Sequence, residues 1–194
     1  DEYDAALASF VRALLAEGRG NRFLTDFIPF ARQIARIGLF NGLSQTLLKL
    51  TAPGVPDIYQ GTELWDFSLV DPDNRRPVDC TRRGALLGQI EALDAFSGPE
   101  LAGRVRLLLE NPEDGRAKLH LIRRALQRRQ EHDALFREGS YEPLAVVGEH
   151  AAHLCAYLRR HGDEAMLIVV GRWFARLPGA GEALPLGEAA WGGD

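Results

Sequence analysis

Apolar positions recur at helical spacing from the first residues of the chain. Leu7, Phe10, Val11, Leu14 and Leu15 predict a helix that opens at Asp1 and stops at Gly18 and Gly20. A second helical stretch covers 22–40, and Pro29 is expected to break or kink it, because proline cannot donate to the helical ladder. A third covers 41–49, with Leu43, Leu47, Leu48 and Leu50 on or near one face. After the Pro53-Gly54 punctuation, residues 55–59 predict one very short apolar strand. Helical spacing returns over 81–96 through Leu86, Leu87, Ile90 and Leu93, and Ser97-Gly98-Pro99 ends it. A helical pair follows at 101–109 and 116–130, joined by the turn 111–115. The second helix of the pair is expected to bury Leu119, Ile122, Ala125 and Leu126. From Tyr141 the pattern changes to short apolar runs at 143–147, 153–158 and 165–170, with a hairpin connection centred on His161-Gly162-Asp163. The predicted class is α+β.

Composition narrows the picture. With 194 residues, 46% hydrophobic and 26% charged, the chain is long enough for a sizeable core and ordinary for a soluble globular protein. A net charge of −4 argues against a nucleic-acid partner. No 18-residue apolar run or leader pattern occurs, so no membrane partner is expected and the cytoplasm is the expected location. Cys80 and Cys155 read as two reduced thiols. The five histidines (120, 132, 150, 153 and 161) show no ligand spacing, so neither metal nor cofactor is expected. Arg123, Arg124, Arg128 and Arg129 read as a solvated helix face partly neutralised by nearby acids.

One stretch stands apart. Between Asp57 and Asp79, six acids, two arginines and three aromatics fall within 23 residues. A mere connector needs turn formers and little else. Flat apolar rings beside carboxylates, amides and guanidinium forks are what a sugar-binding surface uses, with rings on pyranose C–H faces and polar groups on hydroxyls. Gln60, Glu63, Trp65, Asn74, Arg75 and Arg76 are the candidate substrate-binding residues. All but Asn74 have a structural alternative. Gln60 and Glu63 would tie down the loop, and Trp65 would plug a core. Arg75 and Arg76 would pair with Asp71, Asp73 or Asp79. Asp57 and Tyr59 read as framework.

The decapeptide GVPDIYQGTE resembles the last barrel strand and following turn of the α-amylase superfamily. Its continuation, LWDFSLVDPDNRRPVD, resembles the maltooligosyltrehalose synthases within that superfamily. The likeness extends through GRGNRFLTDFIPF (18–30), LSQTLLKLTAPG (43–54), GRAKLHLIRRAL (115–126) and PLAVVGEHAAHL (143–154).

The resemblance implies the mostly helical end of a (β/α)8 barrel over 1–96 and a helical linker over 97–138. An incomplete antiparallel β domain would follow over 139–194. It also implies an Asp nucleophile, a Glu acid/base and a second Asp, carried by motifs of earlier strands that this sequence does not contain. No catalytic residue is therefore assigned. Glu131-His132-Asp133 imitates such a set in the wrong context.

The chain accordingly reads as a carboxyl-terminal fragment cut at both ends and inactive alone. The implied parent reaction converts the reducing-end α-1,4 linkage of a maltooligosaccharide into an α,α-1,1 linkage by intramolecular transglucosylation. Expected partners are that oligosaccharide, the missing barrel strands and a second copy through uncovered apolar surface. Two alternatives stay open: another amylase-superfamily hydrolase or glucanotransferase, and a non-catalytic carbohydrate-binding or interaction domain. Trp173, Phe174 and Trp191 are read as packing, with an auxiliary sugar platform as the alternative.

Overall fold

The structure, a computed structural model, describes residues 1–18 and 20–192. Arg19 of the 18–30 motif, and Gly193 and Asp194 of the expected last domain, lie outside them. Helix α1 (Glu2–Leu14) starts with a capping box in which the Asp1 carboxylate accepts from the Asp4 N–H at 2.9 Å. Asn21 caps α2 (Arg22–Thr51) by accepting from the Leu24 N–H. Its amide nitrogen reaches back to the Leu14 and Ala16 carbonyls, so one side chain joins the two helices.

Helix α2 runs unbroken for 30 residues, so neither the break expected at Pro29 nor a separate helix at 41–49 occurs. Packing further along supports it, since isolated helical stretches are marginal without tertiary contacts. Ile37 and Phe40 meet Phe174 and Leu177, and Leu50 meets Ile122 and Ala125. Leu47 and Leu48 flank Tyr157, Ile168 and Val170. Burying a side chain of this kind is worth about 1.5–3 kcal/mol. The N-terminal half of α2 is different. Phe23, Phe27, Phe30 and Ile34 remain exposed, and α1 buries nothing.

The strand expected over 55–59 is not formed; the segment is irregular and Val55 is 97% exposed. A strand is defined by its hydrogen-bonded neighbour, and none of the described strands pairs with this segment. Helices α3 (Cys80–Glu91), α4 (Gly98–Leu108) and α5 (Arg116–Glu131) follow as expected, with α6 (Asp133–Arg137) added behind them. In α5, Leu119, Ile122 and Ala125 are buried but Leu126 is exposed, one position past the stripe.

Strands β1 (Ser140–Leu144), β2 (Leu154–His161) and β3 (Glu164–Gly171) form one antiparallel sheet in the order β1-β2-β3. The first starts earlier than the apolar run 143–147 predicts, because Tyr141 pairs opposite Arg159, and Val147 is left outside and exposed. The 165–170 run alternates as a half-buried strand should, with Ile168 and Val170 inward and Leu167 and Val169 outward. Phe174 is buried and Trp191 packs against its cluster, while Trp173 stays exposed between Arg172 and Arg176. A short helix α7 (Glu188–Trp191) ends the described chain.

The C-terminal end of α2 is held by side chains from two other elements. Arg159 of β2, only 1% exposed, donates to the carbonyls of Thr51, Leu135, Phe136, Gly139 and Ser140. Arg129 of α5 donates to the Leu50 and Gly54 carbonyls, so this member of the expected solvated arginine face is turned inward. The Thr51 and Tyr157 hydroxyls share a buried hydrogen bond of 2.5 Å. Cations at a helix carboxyl terminus answer both its unpaired carbonyls and its dipole. Arg123 pairs with Asp94 and Arg128 with Glu131, as the sequence reading expected.

Candidate functional site

From this braced helix end the chain enters the 60–79 loop. A turn at Tyr59–Thr62 is closed by the Thr62 N–H and hydroxyl, which both donate to the Tyr59 carbonyl. Gly61 occupies the left-handed region (φ +93°), where a side chain would be strained. Leu64 then drops into the core against Ile90 and Leu119, which anchors the middle of the approach.

Trp65 follows, and its ring is largely engaged inside the molecule. Its indole N–H donates to the Pro112 carbonyl at 2.6 Å. A Cβ at Gly42 of α2 would lie 2.9 Å from the ring, so only glycine admits this contact without a shift. Lys118 lies 5.0 Å from the ring centroid and donates to the Leu64 carbonyl. Burial lowers the Lys118 ammonium's pKa below its ordinary value.

Beyond Trp65 the loop organises itself through its own acids. Asp66 accepts from the Ser68 backbone N–H and Asp73 from the Leu69 N–H, each at 2.8–2.9 Å. Bonds from Ser68 hold the Asp66 carboxyl below the usual carboxylate range. The Leu69 N–H, followed by Arg76, does the same for Asp73. Both remain ionised and act as acceptors at neutral pH. Arg75 pairs with Asp71 at 2.6 Å, which raises the guanidinium's pKa, and Arg76 pairs with Asp73. Asp79 caps α3 by accepting from the Arg82 N–H.

The loop lines, with Arg83, a half-open polar cavity of about 520 Å³. Of the six candidate residues, Gln60, Trp65, Asn74 and Arg76 line it. Arg75 lines only a second depression, which it shares with Pro72, Asp73 and Arg76, so of the two adjacent arginines Arg76 alone also borders the polar cavity. Glu63 is absent from the lining. Its carboxylate accepts from the Gly61 N–H at 2.9 Å and contacts Arg83 Nε at 2.5 Å.

Two of the cavity's residues, Phe67 and Arg83, were outside the candidate set, and candidate Asn74 adds a feature its residue type did not show. Phe67, 82% exposed, gives it a free aromatic ring. Asn74 places in its wall a buried side-chain oxygen without a hydrogen-bond partner among the described residues. Arg83 reaches in from α3. Phe67 was legible as one of the loop's three aromatics. No spacing reveals that Arg83 meets a glutamate 20 positions upstream.

The Glu131-His132-Asp133 triplet is not a constellation: Glu131 pairs with Arg128, His132 with Glu164 and Asp133 with Arg137. No group of residues fit to hold a metal ion is present among the described residues. Among them, no helix is long and apolar enough to cross a membrane.

No family model matches the sequence. Two relatives from Mycobacterium tuberculosis, of strains CDC 1551 / Oshkosh and ATCC 25618 / H37Rv, are described as maltooligosyl trehalose synthases. Each is 41% identical over 155 residues, covering 78% of this chain and 17% of the relative. The solved maltooligosyltrehalose synthase of Arthrobacter ramosus matches with a TM-score of 0.66 at 33% identity, over 88% of this chain and 20% of that one. A second solved maltooligosyl trehalose synthase gives a TM-score of 0.63 at 32% identity, over 79% and 19%. The chain therefore spans between 17% and 20% of the length of these relatives.

Proposed function

From the premise that this chain is homologous to a segment of maltooligosyltrehalose synthases, we propose that it supplies part of the sugar-binding wall of such an enzyme. The reaction is the conversion of the reducing-end α-1,4 linkage of a maltooligosaccharide to an α,α-1,1 linkage, an intramolecular transglucosylation classed as an isomerase reaction. Residues 1–96 would stand at the carboxyl-terminal end of a (β/α)8 barrel, where loops collect binding groups.

The observation that carries the reading is the convergence of Gln60, Asn74 and Arg76 on one polar cavity beside the exposed ring of Phe67. A pyranose would stack on Phe67. A hydroxyl would donate to the orphaned Asn74 oxygen, and the Arg76 fork would hold two further hydroxyl oxygens. Asp66 and Asp73, kept ionised, would accept from others. We assign no residue of this chain the nucleophile or acid/base role. Its part is to hold the freed glucose while it turns and re-attacks before water does.

The test uses a complete synthase containing this segment, with maltopentaose as substrate. Phe67→Ala and Asn74→Ala are expected to raise free glucose relative to trehalose-ended product, since a poorly held acceptor loses to water. Unchanged ratios in both variants would remove the loop from the site. The 194-residue chain alone is expected to leave maltopentaose unchanged by chromatography.

A further inference from the structure

We infer that Arg83 is a positioning residue whose guanidinium staples the two ends of the 60–79 loop together and thereby fixes Gln60 at the cavity rim. The inference rests on the sugar-binding role proposed for that cavity.

Arg83 stands in the first turn of α3, directly after the loop's last residue, Asp79. Its Nη1 donates back to the Asp79 carbonyl at 3.1 Å, and its Nη2 crosses to the Gly61 carbonyl at 2.7 Å. Its Nε lies 2.5 Å from the Glu63 carboxylate, whose other oxygen accepts from the Gly61 N–H at 2.9 Å. Gly61 is thus held from both sides of its backbone, by Arg83 at the carbonyl and by Glu63 at the N–H.

The returning end of the loop closes against the same turn, since a Cβ at Gly61 would meet the Val78 side chain at 3.3 Å. Gln60 immediately precedes this clamped glycine and Glu63 follows it within three positions, so the clamp sets where Gln60 stands. The Arg83 and Glu63 side chains are 20% and 24% exposed, well below the Arg75–Asp71 pair, so solvent screens this contact less. Two carbonyl acceptors and an ion-paired carboxylate in different directions call for a planar fork. A lysine, with one compact ammonium, cannot span them.

Two measurements test the inference. The first is amide hydrogen exchange over 60–79 in the full chain, for the wild type and for Arg83→Lys, Arg83→Met and Glu63→Gln. Both Arg83 variants are expected to lose protection at Gly61–Glu63 by roughly tenfold to a hundredfold, the equivalent of one charge-assisted hydrogen bond. Glu63→Gln should lose less, because the Gly61 carbonyl keeps its donor. The second is turnover of maltopentaose by the complete synthase carrying Arg83→Lys. The expected result is a fall in kcat with a larger share of free glucose and an unchanged melting midpoint, which a purely structural residue would not give.

Wild-type protection in Arg83→Lys and Arg83→Met would overturn the staple. A loosened loop with unaltered kcat and product ratio would overturn the positioning role. A complete wild-type enzyme that forms no trehalose-ended product would instead remove the functional premise while leaving the exchange result standing.

Discussion

The same side chain is used in opposite ways in two regions of this molecule. At the carboxyl end of α2, Arg159 is almost fully enclosed and surrounded by five backbone carbonyls, with no carboxylate among its bonds. In the 60–79 loop, Arg75 and Arg76 are each paired with one aspartate and are largely exposed. A buried guanidinium cannot lose its proton, so it must be solvated by fixed dipoles in place of water. Converging chain ends and helix ends supply those dipoles. An exposed arginine keeps its water, gains little from its partner and retains a fork that a ligand can use. The first arrangement makes a rigid junction. The second leaves the guanidinium forks at the surface.

Substitutions can break that contrast. The largest effect is expected from Arg159→Met, which deprives five enclosed carbonyls of their donor. About 3–5 kcal/mol of stability should disappear in denaturant unfolding, and a loss below ~1 kcal/mol would mean that water replaces the guanidinium. Next comes Arg76→Lys in a complete synthase. It keeps the charge but loses the fork, and turnover should fall roughly tenfold to a hundredfold as free glucose rises. Arg75→Lys, at a residue that does not border the polar cavity, is the matched control and should leave both quantities near wild type. If the two behave alike, the position of Arg76 alone at the polar cavity carries no functional meaning.

A smaller effect belongs to Tyr157→Phe, which removes the buried bond to Thr51 and should cost about 1 kcal/mol in the same unfolding assay. The smallest concerns Asp73. Its folded pKa is lowered, so its contribution to loop order is complete above its unfolded value of ~3.9 and fades as pH falls through the lower folded value. The protection factor of the Leu69 amide, its exchange rate normalised to the intrinsic rate at each pH, should therefore stay constant from neutral pH down to about 4 and fall below it. Asp73→Asn should abolish that acid dependence without moving the global melting midpoint.

Much of the molecule was legible from its own residues. The stripes Leu86-Leu87-Ile90 and Leu119-Ile122-Ala125, the turn at 111–115 and the alternation through 165–170 are local periodicities, and each formed the element it predicts. At Pro29 the expected break did not form, because packing that begins two turns later carries the helix through it. Residues 55–59 misled because a strand needs a neighbour, which no single segment encodes. In the loop, residue types carried the sugar-binding reading proposed above, and the alternative of Asp–Arg pairing, legible from spacing, is formed by both arginines.

Which arginine faces the cavity, the orphaned oxygen of Asn74 and the engagement of Trp65 beneath Pro112 were decided only by the folded chain. So were the contacts of Arg159 with Thr51 and of Arg83 with Gly61, which join positions 108 and 22 residues apart. Sequence records periodicity and residue type over a few turns. Contacts between distant positions, and the burial that gives a charge its strength, exist only once the chain has closed on itself.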